Sequence, residues 1–202
     1  AGGTQEPIDP VRVITNHSSG RMGYALAEAA RDRGANVVLV AAPTSLPDPP
    51  LVRLLRINTA QEMCDAVLNE ARSADALIMA AAVADYRPQA TAGQKIKKSG
   101  ASLSIDLDRT VDILEATPST LVKVGFSAES ENLIANATEK VTRKSLDLIV
   151  ANDITDPESG FGVDTNRVVL IDRELQVEEL PLMSKYEVSH RILDRVVSLL
   201  KG

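Results

Sequence analysis

Two glycine-containing segments near the start of the chain have residue types suited to holding a phosphorylated ligand. Residues 2–12 read GGTQEPIDPVR, and residues 16–23 read NHSSGRMG at the start of a predicted helix. Small residues let the backbone approach a ligand, and N–H groups at a helix start attract phosphate. Ser18 and Ser19 could donate hydroxyl groups to such a ligand or simply cap the helix. The segments contain neither a Walker A loop nor a G-x-G-x-x-G dinucleotide fingerprint.

Polar and charged residues also follow several predicted strands. Asp85, within AAAVADYRP at residues 80–88, could accept from a hydroxyl or amine, help hold a metal ion, or cap a turn. The lysines of KIKK, residues 95–98, could neutralise triphosphate charge or belong to a solvated loop. GFSAE at residues 125–129, with Lys140 and Lys144 on the next helix, and AND at residues 151–153 complete the set. Ligands bind at the carboxyl ends of strands in open α/β sheets, so these residues predict one shared site.

Alternating strands and helices must position this site. Strands are predicted at residues 36–41, 52–57, 76–82, 121–127 and 146–151, and helices at 20–33, 60–72, 111–116, 131–144 and about 184–200. The strands are almost continuously apolar, as expected when both faces of a sheet are covered. The pattern therefore predicts an α/β fold with a doubly wound, mainly parallel, Rossmann-like sheet and right-handed crossovers. Cys64 falls on the apolar stripe of the second helix, which predicts a core thiol.

Two segments interrupt the alternation within a single predicted domain over residues 1–202. Residues 87–100 contain proline, glycine and lysines without an apolar period, which predicts a flexible flap loop. Residues 167–180 predict an antiparallel hairpin appended to the sheet. The Gly2-Gly3-Thr4 turn would normally follow a first strand, and no such strand precedes it in the sequence. The sheet is therefore expected to be one strand short or to have lost that strand.

Composition narrows the function classes. A net charge of -6 and an aromatic content of 2% argue against nucleic acid and anionic membranes as partners. The single cysteine excludes an intramolecular disulfide and a cysteine-based zinc site. No apolar run approaches the roughly 20 residues that span a bilayer, and no signal peptide is visible. A cytoplasmic protein is expected.

Together, the segments resemble the phosphopantothenate–cysteine ligase family, the C-terminal half of the bifunctional coenzyme A enzyme of many bacteria. The resemblance covers nearly the whole chain and rests on GGTxEPIDPVR, NHSSGRMG, AAVADYR, KIKK and AND, in that order. It implies a ligase that joins 4′-phosphopantothenate to L-cysteine while CTP becomes CMP and pyrophosphate through an acyl-cytidylate. It also implies Mg²⁺ bound with CTP, no flavin in this domain, a homodimer, and a possible native fusion to a flavin-dependent decarboxylase.

The resemblance further implies roles for individual residues. Asn16, which would hold the acyl intermediate, and Lys95, which would steady the triphosphate and its transition state, are the expected catalytic residues. Arg12, Ala81 and Ala82 are expected to bind substrate together with Asn16. No metal ligand is assigned. The residues expected to bind the nucleotide are Gly3, Ser18, Gly20, Gly23, Asp85, Phe126, Lys140, Lys144 and Asn152.

The sequence departs from the family at two places. Gln5 stands where a basic residue is common, and Thr110-Val111 stands where relatives often have Asn-Pro, which places that part of the nucleotide site in question. Two rival hypotheses are a nucleotide-binding module without ligase activity and an NAD-dependent oxidoreductase. The second is weaker, because the chain lacks the dinucleotide fingerprint and a Tyr-x-x-x-Lys pair at Tyr86. The nucleotide base is not fixed by spacing alone, so CTP rather than ATP rests on the resemblance.

Overall fold

A computed structural model describes residues 1–97, 100, 102–160 and 162–201. Lys98 of the predicted lysine run lies outside these residues. The helices are α1 (Arg21–Asp32), α2 (Ala60–Glu70), α3 (Ile113–Ala116), α4 (Leu133–Lys144) and α5 (Lys185–Lys201), with a 3-10 turn at Ala71–Ser73. The strands are β1 (Gln5–Pro7), β2 (Val13–Thr15), β3 (Val38–Ala41), β4 (Arg53–Arg56), β5 (Ala76–Met79), β6 (Tyr86–Pro88), β7 (Leu107–Arg109), β8 (Val122–Glu129), β9 (Leu148–Asp153), β10 (Thr165–Asn166), β11 (Val168–Asp172), β12 (Val177–Glu179) and β13 (Met183–Ser184).

The central sheet has the strand order β12-β11-β9-β8-β5. Strands β5, β8 and β9 are parallel, whereas β11 runs antiparallel to both β9 and β12, so the predicted hairpin forms the edge of this sheet. Strands β3 and β4 form a separate parallel pair. The α/β class and the mainly parallel sheet are confirmed.

The first four residues connect these two sheets. Ala42 N donates to Ala1 O at 2.9 Å, and Ala82 N donates to Gly2 O at 2.8 Å. Gly3 and Ala82 also form a parallel bridge. Residues 1–4 therefore lie between the carboxyl ends of β3 and β5, at the position where the sequence pattern predicted a strand.

Helices cover both faces of the central sheet. Neighbouring residues on β9 belong to different hydrophobic clusters, Val150 with α1 and α5, and Ile149 with α4. Because successive side chains of a strand point to opposite faces, this division shows a doubly wound arrangement. Met63 and Cys64 of α2 are buried in a third cluster, which confirms that Cys64 is a core residue.

The helix starts follow two different patterns. Thr59 and Glu62 form a capping box at α2, with Glu62 N donating to Thr59 Oγ1 at 3.2 Å. Helix α1, in contrast, is not capped by a serine as the sequence allowed. Its N-cap is Gly20, with φ of 76°, and the hydroxyl oxygen of Ser18 accepts from Gly20 N at 3.3 Å. The hydroxyl of Ser18 is used to stabilise the turn that precedes the helix.

Three antiparallel strand pairs lie outside the central sheet and were not predicted, namely β10 with β13 and two ribbons of three-residue strands. Strand β1 pairs with β2, and β6 pairs with β7. Residues 86–88 are therefore a strand, and the prediction of a loop beginning at residue 87 was wrong at that boundary. Each strand of these two ribbons has only three residues, too few to show the alternation by which a strand is recognised. Within the described part of the chain, no helix has the length and apolar character needed to cross a membrane.

Candidate active site

Backbone and side-chain hydrogen bonds join the two glycine-containing segments to the end of β5. Ala84 N donates to the buried Thr4 Oγ1 at 2.9 Å, and Thr15 Oγ1 donates to Thr4 O at 2.7 Å. Asn16 Nδ2 donates to Val83 O at 3.0 Å. The predicted catalytic Asn16 therefore lies beside the strand end that carries Ala81, Ala82 and Asp85, as a shared site requires.

Close packing explains the glycines of these segments. A Cβ atom on Gly3 would lie 2.5 Å from Asn16 O, and one on Gly20 would lie 2.6 Å from the Thr44 methyl carbon. A Cβ on Gly23 would lie 2.5 Å from Ala1 Cβ. Such separations are far below ordinary contact distances, so larger residues would displace the chain. Close packing alone is enough to require glycine at these three positions. Contact of the three glycines and of Ser18 with a nucleotide remains a prediction.

A cavity of about 190 Å³ opens beyond the end of β5. Four predicted site residues line it together, namely Ala81, Asp85, Phe126 and Lys144. Ala82 is instead engaged by its backbone with Gly2 and Thr4. The structure therefore gathers predicted substrate-binding and nucleotide-binding residues from β5, β8 and α4 around one concave surface.

The segment from Thr110 to α3 forms another wall of this cavity. Thr110 Oγ1 donates to Ala84 O at 2.6 Å, and Thr110 N donates to Asp85 O at 2.9 Å. Asp112 caps α3 and forms an ion pair with Lys144 at 2.7 Å. The contacts of Thr110 with residues 84 and 85 and the pairing of Asp112 with Lys144 were not predicted, because they connect residues distant in sequence. Thr110, which departs from the family pattern, thus holds the strand end that carries Asp85.

Lys140 lies one turn earlier on α4, in a separate polar network. Its Nζ donates to Ser127 Oγ at 2.7 Å and to Glu129 Oε1 at 2.5 Å, and Asn136 Nδ2 donates to Glu129 Oε2 at 2.9 Å. Burial alone would raise the pKa of the Glu129 carboxyl, but the hydrogen bonds from Lys140, Ser127 and Asn136 together lower that pKa below its usual value. Glu129 is therefore a carboxylate, and it holds the Lys140 ammonium at the end of β8.

Asn152 is buried at the end of β9, in register with Ala128 of β8. A Cβ atom on Gly160 would lie 3.6 Å from Asn152 Nδ2, which places the Asn152 amide against the loop that follows β9. Asn152 and Lys140 are absent from the lining of the cavity among the described residues. Contact of either residue with a nucleotide remains a prediction.

Arg12 and the segment that carries Lys95 are brought together from opposite ribbons. Arg12 lies in the turn before β2, and its Nη2 donates to Ile96 O at 3.1 Å. The side chain of the neighbouring Lys95 is exposed. The predicted catalytic lysine therefore lies one residue from a contact made by the predicted substrate arginine.

The whole described chain also matches a known protein family. Residues 1–200 match the family described as the DNA/pantothenate metabolism flavoprotein C-terminal domain. The chain belongs to this family. The coenzyme A biosynthesis bifunctional protein CoaBC of Bacillus subtilis is 43% identical over 205 residues, which cover 100% of this chain and 50% of that relative. CoaBC of Escherichia coli is 43% identical over 205 residues and is again 50% covered.

Solved structures agree with this assignment. A crystal structure of the C-terminal domain of CoaBC matches with a TM-score of 0.84 and 40% identity, covering 100% of this chain and 93% of that one. Cab2 carrying H337A, in complex with phosphopantothenate-cysteine, has a TM-score of 0.76 at 18% identity and shares the fold. The present chain spans about half the length of the curated CoaBC relatives it matches. The resemblance read from the sequence motifs is thereby confirmed at the level of the family.

Proposed function

We propose that this chain is a phosphopantothenate–cysteine ligase. It joins 4′-phosphopantothenate and L-cysteine to form 4′-phosphopantothenoylcysteine in coenzyme A biosynthesis, and it converts CTP to CMP and pyrophosphate. The observation that carries the proposal is the match, over the full chain, to the C-terminal domain of CoaBC. The cavity lined by Ala81, Asp85, Phe126 and Lys144 supports the proposal, because it brings together residues predicted to bind substrate and nucleotide.

The reaction proceeds in two half-reactions. A carboxylate oxygen of phosphopantothenate attacks the α-phosphorus of CTP, and the bond to the β-phosphate breaks to release pyrophosphate. The cysteine amine then attacks the carbonyl carbon of the acyl-cytidylate. That amine loses a proton as the carbonyl carbon–oxygen bond of the anhydride breaks and CMP leaves. Activation is needed because a carboxylate is a poor electrophile, and one site stabilises charge in both steps.

The residues of the site have separable tasks in this scheme. The positively charged ammonium group of Lys95 lies beside the phosphate oxygens and stabilises their negative charge as it redistributes in the transition state. Asn16 is fixed by its hydrogen bond to Val83 O, which leaves its amide oxygen available to hold the acyl intermediate. Arg12 binds the phosphopantothenate. The nucleotide occupies the cavity, where Lys144 and Asp85 lie on its walls.

Magnesium fits this site as an ion that arrives with the nucleotide. The described residues hold no cluster of three or more histidine, cysteine, aspartate or glutamate side chains able to bind a metal alone. Mg²⁺ commonly uses one or two carboxylates together with substrate phosphates. Asp85 and Asp112 both lie on the cavity wall, and because Asp112 is paired with Lys144, Asp85 is the carboxylate we assign to this ion, which would neutralise charge on the triphosphate. No flavin is proposed for this domain.

A homodimer is the second part of the proposal. Both ribbons carry exposed apolar side chains, with relative exposures of 64% for Val11, 44% for Val13, 48% for Tyr86 and 44% for Leu107. Exposed apolar side chains clustered on neighbouring elements are typical of protein interfaces.

The length of the curated relatives also supports native fusion to a flavin-dependent decarboxylase half. A cytoplasmic location stays a prediction.

Substitution of Lys95 by glutamine tests the catalytic assignment. Since Lys95 acts on the transition state, kcat is expected to fall about 100-fold or more, while the KM for CTP changes by less than about threefold. Steady-state pyrophosphate release measures both constants. Lys201→Gln, which removes an exposed lysine at the end of α5, is the matched control and should behave as the wild type. An increase in KM with kcat preserved would contradict the assigned role of Lys95.

A further inference from the structure

Asp9, in the turn between β1 and β2, accepts more hydrogen bonds than a turn requires. Its Oδ1 accepts from Val11 N and Arg12 N, both at 2.9 Å. Its Oδ2 accepts from Arg12 Nε at 3.0 Å, from Arg12 Nη2 at 2.5 Å and from Ile96 N at 3.1 Å. The first oxygen makes an ordinary aspartate turn. The second oxygen reaches beyond the turn to a side chain and to the backbone of the flap.

The contacts around Asp9 attach the flap to the first ribbon. Thr91 Oγ1 donates to Pro7 O at 3.0 Å, and Ala92 N donates to Ile8 O at 3.0 Å. At the other end of this segment, the Ile96 backbone is held on both sides, its N–H by Asp9 and its carbonyl oxygen by Arg12. Residues 91–96 therefore lie along the β1–β2 turn, and Lys95 projects from the held portion.

Electrostatics strengthen this arrangement. The Asp9 side chain is buried, with 2% of the residue exposed, so the ionised form of its carboxyl is stable only because its hydrogen-bond partners compensate for the loss of water. The Arg12 guanidinium holds the pKa of the Asp9 carboxyl well below its usual range, against the effect of burial and with support from the N–H groups. A buried carboxylate between a guanidinium and a backbone N–H favours one geometry strongly, because each contact is charge-assisted.

We propose that Asp9 is a positioning residue that fixes Arg12 and the flap backbone beside Lys95 in a single arrangement. This inference rests on the proposed function, in which Arg12 binds the phosphopantothenate and Lys95 acts on the triphosphate. Through Asp9, the group that holds one substrate is linked to the group that activates it. Arg12 reaches the flap directly at Ile96 O, and Asp9 Oδ2 accepts from both the Arg12 guanidinium and Ile96 N, so the buried carboxylate joins the two sides of this contact.

Asp9→Asn tests the inference, since asparagine preserves the shape and can keep the turn contacts through Oδ1. Its Nδ2 would replace the acceptor of Arg12 and Ile96 by a donor. Exchange of the Ile96 amide hydrogen is expected to accelerate at least about tenfold, because the amide loses the hydrogen bond to a charged acceptor that protects it. Asp48→Asn is the control, because it removes a surface carboxylate that pairs with Arg56, its one ion-pair partner among the described residues. It should leave both exchange and turnover unchanged.

Turnover supplies the second readout. In Asp9→Asn, kcat is expected to fall about tenfold or more, and adding Lys95→Gln should cost much less than it costs in the wild type. Unchanged exchange at Ile96, or fully additive losses from the two substitutions, would overturn the inference. A merely structural role for Asp9 would lower stability and leave the loss from Lys95→Gln undiminished.

Failure of the proposed function and failure of the Asp9→Asn variant to fold can each be distinguished from failure of this inference. If the wild type fails to release pyrophosphate, the proposed function fails, and exchange at Ile96 then decides the role of Asp9 alone. If Asp9→Asn does not fold, Arg12→Lys replaces it, because a lysine ammonium cannot bond Asp9 Oδ2 twice and also reach Ile96 O. Exchange at Ile96 and Ala92 should then accelerate about threefold, a shift of roughly 0.6 kcal/mol. Unchanged exchange in that variant would overturn the inference as well.

Discussion

Replacing Lys140 by glutamine should destabilise the protein in a way that depends on pH. The substitution leaves Glu129, whose side chain is 12% exposed, with Ser127 and Asn136 as its side-chain hydrogen-bond donors in the described part of the chain. Loss of one partner costs about 3–5 kcal/mol for a fully buried ion pair and about 0–1 kcal/mol for an exposed one. Because the Lys140 side chain is 34% exposed, an intermediate loss of about 2 kcal/mol at pH 7 is expected.

The direction of the pH effect follows from the pKa of Glu129. In the wild type, hydrogen bonds outweigh burial and lower this pKa, so the contribution of the ionised carboxylate is present above its unfolded pKa and is lost as pH falls through the folded pKa. Burial is the largest single effect on this pKa and Lys140 gives the largest opposing hydrogen bond, so the pKa is expected to rise without Lys140, and protonation then relieves the unpaired charge as the solution becomes acidic. The difference in unfolding free energy between wild type and Lys140→Gln should therefore shrink between pH 7 and about pH 4.5.

Urea denaturation at several pH values measures this difference directly. The double variant Glu129→Gln/Lys140→Gln is the matched control, because it removes both charges and should show a smaller loss with little dependence on pH. A loss in Lys140→Gln that stays constant from pH 7 to pH 4.5, or that equals the loss in the double variant, would refute the reasoning. Lys140→Gln should also raise the KM for CTP, as expected of a residue that binds the nucleotide.

Three further substitutions address the cavity, the glycine-containing segment and the ribbons. Lys144→Gln removes a cation from the cavity and leaves Asp112 unpaired there, so the KM for CTP should rise about tenfold, with partial recovery when Asp112→Asn is added. Gly3→Ala should lower the unfolding free energy by about 2 kcal/mol or more in urea denaturation, because its Cβ would lie 2.5 Å from a backbone oxygen, whereas Gly93→Ala, with nothing within 4 Å, should change it little. Val13→Asp should shift the protein from dimer to monomer in sedimentation velocity, and an unchanged dimer would place the interface elsewhere.

The parts of the fold that sequence predicted well are those with a clear local signal. The apolar runs of β8 and β9 are buried on both faces, so their composition alone indicates central strands. The hairpin of β11 and β12 likewise depends on residues close together in sequence. The short ribbons lacked such a signal. Their strands are held by contacts such as Gln5 N to Asn58 O, at 2.8 Å, which no local pattern shows.

The candidate site divides in the same way. The motifs indicated Asp85, Phe126 and Lys144, and the structure places all three around one cavity. The acidic partner of Lys144 was missed, because its pairing with Asp112 depends on how α4 packs against α3. Glu129 belongs to a segment that the motifs selected, but its pairing with Lys140 requires the register of α4 over β8. Charge partners across elements are tertiary facts, and composition supplies only the candidates.

The most direct test of the ligase assignment is pyrophosphate release by this chain with 4′-phosphopantothenate, L-cysteine and Mg²⁺, comparing CTP with ATP. Release that requires phosphopantothenate and proceeds with CTP much faster than with ATP is the predicted result. Omitting cysteine should leave a single turnover of pyrophosphate, since the acyl-cytidylate then has no amine to accept the acyl group. A folded protein that releases no pyrophosphate with either nucleotide would contradict the assignment.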